Sequence, residues 1–329
     1  MISGETLRIV SANVQGIQTP FKRKDVLEYL EKRSPNILCL QDTHLKCTEE
    51  NNVSTITHAE CYISGYKTNS RGVTTIFKNN FVYNISKIIR DTEGNCIVTD
   101  FETSDISVRL INIYAPNNDP PQFFHSLKNY IEENNQSYLI LCGDFNLVLS
   151  PSLDSNNYIN INNPKSRKKL IEIMNIHSLE DSFRYIHPNL RRYTWRRKNP
   201  IKQARLDYFI VTNTLLDLVT SSKIFPGYKS DHSILELNIE INKFERGKGI
   251  WKLNCDHLKD IEYLTKINTI ICQEKVAYAL PVYNLQYVQE NDEYIQFSID
   301  DKLFLETLLL KIRGETIKYA AQKKNGPTK

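Results

Sequence analysis

The feature that most constrains this chain is a recurrence. Short apolar, β-branched runs each stop at a side chain carrying oxygen or nitrogen. Thr6–Ala12 alternates and is followed by Asn13; Ile37–Leu40 is a continuous apolar run followed by Gln41 and Asp42. Ile106–Tyr114 ends on a tyrosine, and Tyr138–Cys142 runs into Gly143, Asp144 and Asn146. Arg205–Thr212 contains Asp207, and Asp231 and His232 open Ile234–Ile241. Runs of this kind predict strands, and Gly72–Phe77 and Ile97–Phe101 add two more. Between strands, Asp91–Asn95 carries the residues of a turn. Helical spacing covers residues 21–33, through Val26, Leu27 and Leu30, with Pro20 at its start and Ser34-Pro35 at its end. Pro120–Glu133, Ser166–Met174 and a short stretch near Thr214–Val219 are further helices. Strands in the majority with a few covering helices predict an α/β chain of two packed sheets flanked by helices.

At 329 residues the chain exceeds one average domain. Composition changes near residue 242, where the polar, glycine-bearing Asn242–Gly249 predicts a linker. It separates a domain of residues 1–241 from a segment of residues 242–329, in which Leu258–Ile271 and Leu303–Ala321 read as helices before a basic tail, Lys323–Lys329. No run approaches the roughly 20 apolar residues of a membrane span, and the N-terminus lacks the pattern of a signal peptide. The cysteines number seven and none has C-x-x-C spacing, so reduced thiols are expected and a zinc site is not.

Carboxylates and amides at strand ends suit a hard cation such as Mg²⁺. A histidine beside carboxylates suits phosphate contact or proton transfer. Taken singly, each residue has a simpler role. An Asp after a strand is commonly a turn or helix-cap residue, Tyr114 a half-buried strand aromatic, and His232 a structural histidine. His44, His58, His125, His177 and His187 are read as structural. Strand ends are where a rigid sheet gathers distant residues, so the ordered set together predicts metal-assisted phosphodiester hydrolysis.

That set is Ser11-Ala12-Asn13, Leu40-Gln41-Asp42-Thr43-His44, Asn112-Ile113-Tyr114-Ala115-Pro116-Asn117, Gly143-Asp144-Phe145-Asn146, Arg205-Leu206-Asp207-Tyr208 and Ser230-Asp231-His232-Ser233. In order and spacing it resembles the endonuclease/exonuclease/phosphatase superfamily, which includes deoxyribonuclease I and the exonuclease III-like abasic-site endonucleases. Within it, Gln41–His44 and the connector-like Arg246–Asn254 resemble the endonuclease part of non-LTR (LINE-type) retrotransposon polyproteins, and Ile312–Ile317 is similar to the run-in to their reverse transcriptase. The resemblance implies a four-layer α/β sandwich of two mostly antiparallel sheets, with a short helical C-terminal extension leading toward a reverse transcriptase. It implies that Asp42 holds Mg²⁺ (or Mn²⁺) with Asn13 and Asp231 nearby. Asp144 would orient or deprotonate the attacking water, Asn146 would fix it, Asp207 would set the tautomer of His232, and His232 and Tyr114 would contact the phosphate. Asp231 would support a metal or the leaving group. One departure is that the family usually has Glu where this chain has Asp42, drawing the carboxylate back by roughly 1.5 Å. Mg²⁺ demands near-ideal geometry, so lower activity or altered metal preference is expected.

The formal charge of +4 is too mild to argue for nucleic acid by itself. Its distribution is more telling. Arg184–Arg205 holds Arg184, Arg191, Arg192, Arg196, Arg197, Lys198, Lys202 and Arg205, no acidic residue, and the aromatics Tyr185, Tyr193 and Trp195. A solvated basic hairpin is the plain reading. Its place between two motifs predicts a surface for double-stranded DNA. Thr194 matches a DNA-contact position of the retrotransposon enzymes, Asn117 is a further candidate, and Lys22, Arg23 and Lys24 form a weaker second patch. The expected role is nicking of target DNA to leave a 3′-hydroxyl that primes reverse transcription, with retroelement RNA and the polymerase as partners and the nucleus as the site of action after cytoplasmic synthesis. Competing expectations are an abasic-site repair endonuclease, a phosphatase or RNA-cleaving enzyme, and a DNA-binding relic weakened at Asp42.

Overall fold

The computed structural model describes residues 6–67, 70–104, 106–134, 136–158, 163–241, 255–280 and 296–324. The linker and connector-like segment, 242–254, and the tail beyond residue 324 lie outside the described residues. Two compact units are present, Met1–Glu245 and Arg246–Lys329.

In the first unit the strands are β1 (Thr6–Asn13), β2 (Ile37–Gln41), β3 (Glu60–Ser64), β4 (Val73–Phe77), β5 (Asn84–Arg90), β6 (Cys96–Thr103), β7 (Ile106–Tyr114), β8 (Tyr138–Asp144), β9 (Ser155–Asn156), β10 (Leu179–Asp181), β11 (Trp195–Arg197), β12 (Lys202–Ala204), β13 (Asp207–Thr212), β14 (Val219–Phe225) and β15 (Ile234–Glu240). Helices α1 (Pro20–Glu31), α2 (Glu50–Thr57), α3 (Pro121–Glu132), α4 (Pro151–Asp154), α5 (Pro164–Ile176), α6 (Ser182–Ile186) and α7 (Asn213–Leu216) lie between them. Two six-stranded sheets form, in the orders β14-β15-β1-β2-β4-β3 and β10-β13-β8-β7-β6-β5. Only β1–β2 and β7–β8 pair in parallel within these sheets. A small third sheet, β11-β12-β9, carries the basic hairpin.

Because side chains alternate along a strand, each large sheet has two faces to bury. Leu7, Ile9, Ile37, Cys39, Val108, Leu110, Ile140, Cys142, Phe209 and Val211 form the core between the sheets. The alternate residues face outward. Val10, Leu38, Leu40 and Ile76 meet Val26, Leu27, Leu30 and Val53 of α1 and α2. Ile111, Ile113, Leu139, Leu141 and Ile210 meet Phe124, Leu127, Leu170 and Ile173 of α3 and α5. Helix, sheet, sheet, helix is the four-layer sandwich.

The register places the polar strand ends. Asn13, Gln41, Asn112, Tyr114, Asp144 and Asp207 share the parity of the inter-sheet core, so the functional residues continue that core at one end of the sandwich. Beneath them the Gln41 amide donates to Ser11 Oγ (3.0 Å) and Asn112 Oδ1 (2.7 Å), while Asn112 Nδ2 donates to Thr74 O (3.0 Å) in the first sheet. This polar bolt crosses between the sheets directly below the site.

In the second unit, α8 (Ile261–Tyr278) and α9 (Asp301–Lys324) pack antiparallel. The Tyr263 hydroxyl bonds Thr316 Oγ1 at 2.8 Å, and Tyr278 lies edge-on to Phe304. Asp260 caps α8 by accepting from the Glu262 N–H (3.0 Å).

Candidate active site

A cleft of about 360 Å³ opens at the polar end of the sandwich, lined by Asn13, Gln15, Asp42, Tyr114, Asn117, Asp144, Asn146, Tyr158, Trp195, Leu206, Asp231 and His232. Eight of the residues named from the sequence are among these; Asp207 lies just beneath.

Asp144 ends β8 and is buried. Asn13 Nδ2 donates to its Oδ2 (2.9 Å) and the Asn146 N–H to its Oδ1 (2.9 Å). Gly143, just before it, has φ of +127°, and a Cβ there would sit 2.0 Å from the Ile113 carbonyl oxygen. Only glycine lets β8 pack this close to β7 and still deliver Asp144. Asn146, in a left-handed turn (φ +50°), gives its amide N–H to the Ala115 carbonyl (2.7 Å).

Asp42 would point outward if β2 continued, since it follows inward-facing Gln41. The chain instead takes φ of +53° at Asp42. That left-handed residue breaks the alternation and brings the carboxylate to the cleft. Tyr114 lines the same cleft, and burial followed by the nearby Asp42 and Asp144 carboxylates holds its phenol well above its ordinary pKa.

His232 precedes β15 and is buried. Its Nδ1 lies 2.9 Å from Asp207 Oδ2 and 3.2 Å from Oδ1, so Nδ1 carries the proton. Its Nε2 faces the cleft, 3.8 Å from both Asp144 Oδ2 and Asp231 Oδ1. Burial alone would depress its pKa; the carboxylates of Asp207, Asp144 and Asp231 outweigh this and raise it to about 10. For Asp144 burial comes first and the Asp207 charge second, raising it to about 7 against the pull of His232 and its hydrogen bonds. Asp231 is tied by the Trp195 indole N–H to its Oδ2 (2.9 Å), and its own N–H donates to Gln15 Oε1 (3.1 Å).

This donor set fits a divalent cation. Asp144, Asp207 and His232 bring one ligand atom each within 4.8 Å of one another. The Asp207–His232 bond occupies that cluster internally. Asp42 and the free faces of Asp144 and Asn13 are the oxygens left to the cleft; burial first and the Asp207 charge second raise Asp144, and a cation bound beside it would offset both.

The basic stretch divides. Arg191, Arg192, Arg196, Arg197 and Lys198 are exposed along the β11–β12 hairpin and the loop before it. Arg205 is not a surface residue: its guanidinium is buried and bonds Asp154 through Nε and Nη2 (both 2.9 Å) and Asp181 (2.5 Å). Arg184 shares Asp154 at 2.5 Å. Thr194 is fully buried, and its Oγ1 accepts from the N–H groups of Leu206 (2.9 Å) and Asp207 (3.1 Å). Neither side chain is presented at the surface, where the sequence reading had placed a DNA contact: Thr194 holds the backbone entering Asp207, and Arg205 holds Asp154 and Asp181 in the interior. Buried charge needs partners within reach, and a sequence run of like charge does not say where those partners fold. In the second patch, Arg23 is likewise buried on Glu49 (2.6 Å).

Gln15, Trp195 and His44 were missed as site residues. Gln15 stands two positions after Asn13 and Trp195 inside the basic stretch, which are weak signals. His44, read as structural, places Nε2 3.0 Å from Asp42 Oδ1.

Residues 10–232 match the endonuclease/exonuclease/phosphatase family. The chain is 27% identical over 259 residues to the uncharacterized 149 kDa protein of transposon TX1 from Xenopus laevis, covering 77% of this chain and 20% of that protein. It thus spans about a fifth of that relative's length. It is 27% identical over 274 residues to the DNA repair nuclease APEX1 of Danio rerio, covering 71% and 83% of the two chains. The AP endonuclease LMAP from Leishmania major superposes with a TM-score of 0.60 at 19% identity, over 71% of this chain and 88% of that one. By its matched residues and its fold, this chain belongs to the endonuclease/exonuclease/phosphatase family.

Proposed function

We propose that residues 1–241 form a Mg²⁺-dependent (or Mn²⁺-dependent) DNA endonuclease that nicks target DNA and leaves a 3′-hydroxyl to prime reverse transcription of a retroelement. The observation that carries this reading is the convergence of Asp42, Tyr114, Asp144, Asn146, Asp231 and His232 on one cleft beside an exposed basic hairpin. Asp42, with Asn13 and Asp231 nearby, holds the cation, which neutralises phosphate charge when bound. Asp144, raised to about 7, is poised near neutral pH to take a proton from the attacking water, and Asn146 holds that water. The water oxygen bonds to phosphorus as the P–O3′ bond breaks, and the 3′ oxygen gains a proton. Cationic His232 and the Tyr114 hydroxyl face the charge that builds on the phosphoryl oxygens. Double-stranded DNA lies along Arg191, Arg192, Arg196, Arg197 and Lys198, with Asn117 at the cleft edge.

The transposon relative supports the retroelement context. In a longer protein of that kind, residues 242–329 lead to a reverse transcriptase that handles the element's RNA, and the work is done in the nucleus. The repair nuclease among the relatives supports a second reading, an abasic-site endonuclease.

The test is relaxation of supercoiled plasmid. Mg²⁺-dependent open circles that EDTA, Asp144→Ala and His232→Ala abolish are expected. A folded chain that binds plasmid but nicks it with neither Mg²⁺ nor Mn²⁺ is a DNA-binding relic. A preference for abasic over intact duplex by orders of magnitude moves the assignment to repair.

A further inference from the structure

Asp42 is a short side chain at a position that must reach a cation, and the loop around it is built at conformational cost. Asp42, His44 and Gly16 all take left-handed φ, at +53°, +58° and +73°. For residues with side chains such conformations persist only where neighbours over-determine them. The neighbours here are specific. The Gly16 N–H donates to the Asp42 carbonyl (2.7 Å), and the His44 N–H donates to the Arg71 carbonyl (2.7 Å). The His44 ring packs onto Gly16, where a Cβ would lie 2.7 Å from its Nδ1. This arrangement sets the imidazole against the carboxylate, Nε2 to Oδ1, at 3.0 Å. A carboxylate only accepts, so the ring donates through Nε2–H.

We propose that His44 is a positioning residue for Asp42. Its hydrogen bond fixes the rotation of the short carboxylate and leaves the second oxygen aimed at the cleft, where it can ligate a divalent cation. The inference rests on the metal-dependent reading above. Partners that orient a ligating group typically change metal affinity about 10- to 100-fold when removed.

The experiment measures Mn²⁺ binding to the full chain, by titration calorimetry and by loss of the free Mn²⁺ electron-spin signal, alongside plasmid nicking. Native protein is compared with His44→Ala, His44→Gln, His44→Met and Asp42→Glu/His44→Ala, each checked for folding by its melting curve. His44→Ala is expected to weaken Mn²⁺ about 10- to 100-fold. His44→Gln, which keeps an N–H donor, should stay nearer the native value. His44→Met fills similar space without a donor, so it should follow the alanine variant and stands in for it if that one does not fold. On the Asp42→Glu background the loss should shrink, because the longer side chain needs less aiming. Unchanged Mn²⁺ affinity in His44→Ala and His44→Met overturns the inference while leaving the nuclease reading intact. Glutamine as damaging as alanine also overturns it, because an N–H donor at this position would then not be what holds Asp42. A native chain that binds no Mn²⁺ removes the metal reading and this inference with it.

Discussion

His232 keeps its proton far into the alkaline range because three carboxylates surround it, and this sets a direction for the pH dependence of the chain. Its pKa stands at about 10 in the fold against an ordinary 6.5. The stability it contributes is therefore complete below about pH 6.5 and is lost as pH rises through about 10. Asp144 is also raised, from 3.8 to about 7, so its contribution is present at low pH and is lost as pH rises through about 7. If the cationic form of His232 contacts the phosphate, nicking should fall as pH rises toward 10. Asp207→Asn, which removes the largest raising influence, should move that alkaline limb to lower pH; kcat/KM against pH measures it, and an unmoved limb excludes His232 as its source. At Asp42, replacement by Glu should raise Mg²⁺-dependent nicking by restoring reach; equal or lower rates show that the short side chain already suits its site. Most cleft residues were legible because the motifs are local: Asp144 and Asn146 share four residues of sequence, Asp231 and His232 adjoin. His44 was not. Its role depends on two left-handed residues in Asp42–His44 that turn the imidazole back onto the carboxylate, and no side-chain pattern announces those angles.

At the scale of elements, the hairpin of β11 and β12 is the one most open to experiment. Replacing Arg196, Arg197 and Lys198 together by Ala should weaken duplex binding and flatten its dependence on salt. Each lost phosphate contact lowers the slope of log affinity against log salt by about 0.9. A slope unchanged from the native protein would place DNA elsewhere. Arg205→Ala should act differently. It removes the guanidinium from Asp181 and leaves Asp154 paired with Arg184 alone, so a loss of about 3–5 kcal/mol is expected in urea unfolding, with no change in salt slope for protein that remains folded. The central strands were legible because β2, β7, β8 and β13 carry apolar residues on both faces. In the two large sheets, β3, β5, β10 and β14 were not identified as strands. β5, Asn84–Arg90, is an edge strand with polar residues at both parities and is only half-buried, so it lacks the alternation that marks a strand with one wet face. The stretch near Thr214–Val219, read as a helix, is the short α7 running into β14. Pairing with β15 fixes that edge, and partner identity is not written locally.

For the whole molecule, the compact unit Met1–Glu245 contains every residue of the cleft and both large sheets. A chain ending at residue 245 should therefore fold cooperatively and retain nicking, checked by circular dichroism melting and plasmid relaxation; loss of activity in a folded product would give residues 246–329 a part in the chemistry. The layered architecture was legible from strand count and covering helices, whereas the order of strands in each sheet follows from long-range pairings such as β1 with β15. One feature carries further. The side chains of the cleft and the side chains of the inter-sheet core occupy the same positions of a two-residue alternation in β1, β7, β8 and β13. Deleting a single residue within any of those strands would exchange Asn13, Tyr114, Asp144 or Asp207 with an apolar neighbour and, in the same stroke, turn core residues toward the helices. Reading frame within the strand thus ties folding and catalysis together: a selection that scores only cut DNA would also discard the slipped folds, and library diversity is best spent on the loops.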